Sequence, residues 1–120
     1  SDSAFTSLKD QVDRVVTTFY HLPGIPFYSL SHWIYDLYFW GCLENVSPIN
    51  VIAKLSPRPI LLIAGQTDDR MTAMDAYRLF EAASQPKEQW IVPGAGHGET
   101  LAMAGQTYPE RVVDFFKRAL

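Results

Sequence analysis

Five apolar residues, 60–64, follow one another without a polar break in the run PILLIAGQTDD at residues 59–69. A strand with one wet face would alternate. This run has no wet face, so it predicts a short strand buried on both sides, as in a parallel sheet covered by helices. Gly65 ends the predicted strand, and Asp68 and Asp69 follow it closely. In open α/β sheets chemistry gathers just beyond the carboxyl ends of the strands, which is where these two acids stand.

The rest of the pattern supplies the partners of that strand. Ser7 with Asp10 is a capping-box spacing that opens a helix, and Leu8, Val12, Val15, Val16 and Phe19 then recur on one helical face. The segment LPGIP at 22–26 breaks it as a turn. Leu30, Trp33, Ile34, Leu37 and Tyr38 share a face and predict a second helix over 29–40, inside an aromatic stretch at 27–43. Core packing under a long connection is one reading of that stretch; a lid or pocket wall over a ligand is the other. Ser47-Pro48 starts a short helix through Ile49, Ile52 and Ala53. After the two acids, Thr72 and Asp75 cap a helix whose inner face is Ala76, Leu79, Phe80 and Ala83. Residues 89–92, centred on Trp90, predict a second strand, which gives a right-handed parallel βαβ unit. Thr107 with Glu110 opens a last helix that buries Val112, Val113, Phe116 and Leu120. The fold class is α/β. Residues 1–50 read as a helical, lid-like segment and residues 51–120 as a βαβα unit of a sheet.

Composition narrows the classes. The chain has 120 residues, 48% apolar and 19% charged, enough for one folded domain and short for two. A net charge of -3 gives no basic patch for nucleic acid. The aromatic stretch contains Pro26, Ser29, Ser31, His32 and Asp36, which argues against a membrane span. The single Cys42 makes no internal disulfide, and its neighbours Trp40 and Leu43 predict a packed, inert thiol. No basic-then-apolar leader opens the sequence, which fits a cytoplasmic protein.

Asp68, Asp69 and His97 are the residues placed for chemistry. An acid pair after a glycine is ordinary turn chemistry, and a histidine in a glycine-rich loop is often only a surface residue. Here Gly94, Gly96 and Gly98 free the backbone around His97, and His97 follows the second strand as Asp68 follows the first. Both then lie at one edge of a parallel sheet. A carboxylate that orients an imidazole is two-thirds of a nucleophile-activating triad. GAGHG matches neither G-x-G-x-x-G nor a P-loop, and His21, His32, His97 and Glu99 lack zinc spacing, so neither cofactor nor metal is expected.

With these residues in view, the segment from Arg58-Pro59 through Gly65-Gln66-Thr67-Asp68, the helix with Ala76 and Leu79-Phe80, the run WIVPGAGHG, Tyr108 and Phe115-Phe116 together resemble the C-terminal part of an α/β-hydrolase. In that family the order is nucleophile, acid, histidine. The resemblance implies that Asp68, after the seventh strand, is the triad acid and His97, after the eighth, the base, with Asp69 the alternative acid. Thr72 stands where many relatives have proline, without catalytic weight. The likeness is specific from Ser56 onward and looser over residues 3–50, which would match the lid insertion after the sixth strand. The nucleophile elbow G-x-S-x-G occurs nowhere in the chain. Ser29, Ser31, Ser47 and Ser56 lack its glycines, and Ser1 and Ser3 would fall at the end of the sixth strand.

The resemblance therefore implies a C-terminal portion of a serine hydrolase, inert alone, whose partner is the missing N-terminal half or a second copy of the chain. Its substrate would be a small carboxylic ester, or less readily an amide or peptide, with Trp33 and Tyr38 against the apolar group. The other class of function is a non-catalytic association module that pairs its open sheet edge with a partner.

Overall fold

The computed structural model describes residues 1–41 and 45–120. Cys42, for which a packed thiol is expected, lies outside the described residues. The order is α1 (Leu8–Arg14) with a π-helical continuation (Val15–Phe19), α2 (Gly24–Tyr38), α3 (Pro48–Val51) with a 3-10 turn (Ile52–Leu55), β1 (Ile60–Gly65), α4 (Ala73–Ala82), β2 (Lys87–Val92), α5 (Thr100–Ala104) and α6 (Thr107–Ala119). This is a mixed α/β chain with a two-stranded parallel sheet.

Every residue of β1 is buried. Because side chains of a strand alternate between its faces, the run splits into two cores. Ile60 and Leu62 pack with Ile52, Leu79 and Ala83 on the α4 side. Leu61 and Ile63 pack with Val92, Ala95 and Phe115 on the α6 side. Helices on both faces explain the absence of a polar position in 60–64. Each such fully buried leucine or isoleucine contributes about 1.5–3 kcal/mol.

β1 and β2 run in parallel, with Ile60 opposite Lys87 and Gly65 opposite Val92. The second strand is longer than the predicted 89–92, since Lys87 and Glu88, though polar, are only half-exposed and pair with the start of β1. On its other edge β1 is partly paired as well. Asp2 bridges Ile63 in parallel, the Ser3 N–H donates to the Ile63 carbonyl (3.0 Å), and the Ile63 N–H donates to that of Ser1 (2.8 Å).

Capping chemistry forms as the spacing predicts at α4, where the Thr72 hydroxyl accepts from the Asp75 N–H and the Asp75 carboxylate accepts from the Thr72 N–H. At α1 only half of the box forms. Ser7 accepts from the Asp10 N–H at 3.1 Å, while the Asp10 carboxylate lies 3.1 Å from the Thr6 hydroxyl instead. Ser47 precedes Pro48 at the start of α3 but makes no side-chain cap bond.

Three expectations are corrected. The last helix buries Phe115, with Val112 half-buried, whereas Val113, Phe116 and Leu120 are exposed. Its cap is Gln106 without a side-chain bond, because Thr107 is already in the first turn and therefore cannot serve as the N-cap. The aromatic helix, which is broken at Ile25 by extended backbone, has no buried residue, so the core-packing reading does not hold within this chain. It packs against α1 and its π-helical continuation, held in part by His32 Nε2 at 2.7 Å from Asp13 Oδ1. With so much apolar surface outside the two cores, the radius of gyration is 16.0 Å, against about 14 Å for a compact domain of this length.

Candidate functional site

The site stands at the carboxyl ends of β1 and β2, where two loops lock together. The Gln66 N–H donates to the Val92 carbonyl (3.0 Å) and the Thr67 N–H to that of Ala95 (2.9 Å). The Gln66 side chain returns the bond, accepting from the Gly94 N–H at 3.0 Å. This close approach requires glycine at 65, since a Cβ there would collide with the Ala95 carbonyl. Gly94 and Gly98, at φ of 69° and 74°, supply left-handed turns on either side of His97. The Glu99 carboxylate closes the loop by accepting from the Gly96 N–H (2.9 Å).

Asp68 is buried in this junction. Its Oδ1 accepts from the N–H groups of Arg70 (2.9 Å) and Met71 (2.8 Å), so the turn after β1 fixes the carboxylate plane. Its Oδ2 lies 3.0 Å from His97 Nδ1. With two backbone donors already on the carboxylate, the imidazole is the donor in this contact and Nδ1 carries the proton. Nε2 is then the acceptor nitrogen, and the His97 side chain remains 35% exposed. A buried carboxylate behind a partly exposed imidazole is an arrangement that can act as an oriented general base. Asp69 is exposed and makes no hydrogen bond to His97.

The acid turn is itself anchored. Gln11 Nε2 donates to the Arg70 carbonyl at 3.0 Å, and Arg14 Nη1 donates to the same oxygen. Arg14 also forks onto the buried Asp75, with Nη1 to Oδ2 at 2.6 Å and Nη2 to Oδ1 at 3.1 Å. Burial alone would raise the Asp75 carboxyl, but the Arg14 bonds and charge and the Thr72 donors outweigh it and hold it below the usual carboxylate range. Helix α1 thus grips the loop that carries Asp68. On the far side of the sheet Asp2 Oδ2 accepts from Thr100 (2.6 Å) and Tyr108 (2.8 Å), tying α5 and α6 to the first residues. Burial, and then the bond to Asp2, raise the Tyr108 hydroxyl.

His97 lines a cavity of about 370 Å³ with Gln11, Val15, Phe19, Tyr20, Arg70 and Met71. Trp33 and Tyr38, the expected substrate contacts, do not line it; they are 64% and 78% exposed, and Tyr38 borders a separate cleft with Ile34, Tyr35 and Phe39. Sequence reasoning placed Phe19 on a buried face and gave Arg70 no role. Their meeting depends on where the end of α1's continuation crosses the Asp68 turn, which no local spacing encodes. Among the described residues no group of three potential ligands could hold a metal, and no helix is long and apolar enough to cross a membrane.

No family model matches the sequence. The chain is similar to the uncharacterized protein YfhR of Escherichia coli K12, at 35% identity over 64% of this chain and 28% of that protein. It is also similar to the uncharacterized protein Rv2307c of Mycobacterium tuberculosis H37Rv, at 37% identity over 94% of this chain and 34% of that one. Among solved structures, the hypothetical protein PA2218 of Pseudomonas aeruginosa aligns over 57% of this chain and 21% of its own, at 35% identity and a TM-score of 0.48. The chain thus spans about a third or less of the length of these relatives.

Proposed function

We propose that the chain is part of a serine hydrolase of the α/β-hydrolase fold and supplies two members of its triad, Asp68 as the acid and His97 as the base. The observation that carries this reading is the 3.0 Å contact between His97 Nδ1 and a buried Asp68 carboxylate at neighbouring ends of parallel strands. A paired surface histidine would need neither the interlocked glycine loops nor the backbone donors that aim the carboxylate. In this reading β1 and β2 are the seventh and eighth strands, residues 1–3 are the end of the sixth, and α1 and α2 belong to the lid.

The nucleophilic serine and the oxyanion donors belong to the part of the protein outside this chain, as the greater length of the relatives allows. His97 Nε2 takes the proton of that serine as its oxygen attacks an ester carbonyl. Asp68 stabilises the imidazolium, which then protonates the departing alcohol; water repeats the cycle on the acyl-enzyme. Carboxylic esters are the favoured substrates, ahead of amides or peptides. Alone, with nothing for His97 to activate, the chain does not turn over.

The test is hydrolysis of a chromogenic short-chain ester. In a longer protein that holds this chain together with a nucleophilic serine, Asp68→Asn lowers kcat by about 10⁴-fold. Full activity in that variant rejects the assignment. Turnover by the 120-residue chain itself, abolished in His97→Ala, rejects the view that it is inert alone.

A second reading, association with another copy, is favoured by two apolar grooves of about 400 and 370 Å³ that flank β1 where residues 1–3 leave its edge. In the hydrolase reading the rest of the same domain fills them. A concentration-dependent dimer of the 120-residue chain by size-exclusion chromatography supports the association reading; a monomer at all concentrations rejects it.

A further inference from the structure

The cavity beside His97 holds a cation that the acid–base pair does not use. Arg70 lies on the turn fixed by Asp68. Its backbone is committed, the N–H to Asp68 and the carbonyl to Gln11 and Arg14. Its side chain is not. The guanidinium carbon stands 4.8 Å from the centroid of the Phe19 ring, and among the described residues Arg70 makes no ion pair. An aromatic face engages the plane of a guanidinium and leaves its N–H edge available for a carboxylate fork.

The surroundings decide what that edge can take. Val15, Phe19 and Met71 form an apolar wall. The Gln11 amide donates one N–H to the Arg70 carbonyl and accepts from Arg14. Among the described residues no carboxylate lines the cavity: Asp68 is buried behind His97, and Asp69 is exposed outside it. A volume of about 370 Å³ suits a small molecule. An apolar wall beside a cation that pairs with no described residue complements an apolar body with one negative end.

We propose that this cavity binds short carboxylic esters that carry a second, ionised carboxylate, the half-esters of dicarboxylic acids. The aliphatic chain lies on Val15, Phe19 and Met71, the free carboxylate pairs with Arg70, and the ester group lies at His97. The inference rests on the reading of His97 as the base of an ester hydrolase and adds the substrate class to it.

The experiment is a two-dimensional NMR titration of the 120-residue chain with monomethyl adipate and with methyl hexanoate, a neutral ester of similar length. Both probes shift resonances of Val15, Phe19, Met71 and His97, and the half-ester binds about tenfold more tightly, as one charged pair predicts. Arg70→Gln removes that advantage and leaves methyl hexanoate binding unchanged. Arg70→Lys, which keeps the charge, retains part of it and controls for folding, and added salt narrows it. Equal affinities in the wild-type chain, equal weakening of both probes in Arg70→Gln, or no shifts at these residues overturns the proposal and leaves Arg70 a solvated surface cation. Because no turnover is read, this inference can fail while the hydrolase reading stands, and the esterase experiment can fail while the binding result stands.

Discussion

Gly65 and the Ala95 carbonyl approach so closely that any side chain at position 65 would have to push the His97 loop away from the Asp68 turn. The two loops meet at backbone distance, and the Asp68–His97 contact depends on that approach. Gly65→Ala therefore acts as overpacking at a rigid junction, costing about 1–3 kcal/mol in urea denaturation. It also separates Asp68 from His97, seen as loss of the low-field Nδ1 proton resonance of His97. A variant that keeps both its stability and that resonance shows that the loops have room to spare.

Arg14 and Asp75 make stability pH-dependent in a definite direction. The Asp75 carboxyl sits below its usual value of 3.8 in the folded chain. Its contribution is complete above about pH 4, where the unfolded chain is also ionised, and is lost as pH falls through the lower folded value. Arg14→Gln removes the cation from a buried carboxylate that keeps its Thr72 and Thr6 donors, and costs about 1–3 kcal/mol at neutral pH. Urea midpoints measured from pH 2 to pH 6 rise with pH in the wild type and flatten in Arg14→Gln. An unchanged acid limb in the variant means that another group sets it.

Leu79 is 1% exposed at the centre of the α4 core. Leu79→Ala costs about 2–5 kcal/mol, the range for removing a buried leucine that the surroundings cannot replace. Leu101→Ala, at an exposed site on α5, stays within about 0.5 kcal/mol. Equal effects of the two substitutions would show that the sheet does not form the core described.

Much of this was legible in the sequence because it is local. Burial on both faces of β1 shows as lost alternation, and the Thr72–Asp75 box shows as spacing. Asp68 and His97 share an edge because parallel strands place their following loops side by side. What was not legible is set by tertiary phase. With Phe115 and Phe116 adjacent, only the angle at which α6 meets the sheet decides which is buried. The five residues of α5 are too few for a period, so the sequence assigns no element to Thr100–Ala104. The apolar face of α2 marks a surface that packs on something, yet nothing local says that among the described residues it packs mainly on α1 and its continuation. The cavity wall of Phe19 and Arg70 was missed for a related reason, since residues 51 positions apart in sequence meet only through the fold.

The central claim is that Asp68, and not Asp69, fixes His97 with its proton on Nδ1 and Nε2 free to act as base. Nitrogen-15 NMR of the His97 imidazole in the 120-residue chain measures this directly. The account predicts a ring protonated at Nδ1 when neutral, lost or mixed in Asp68→Asn and unchanged in Asp69→Asn. A ring protonated at Nε2, or a tautomer that responds to Asp69→Asn and not to Asp68→Asn, contradicts it.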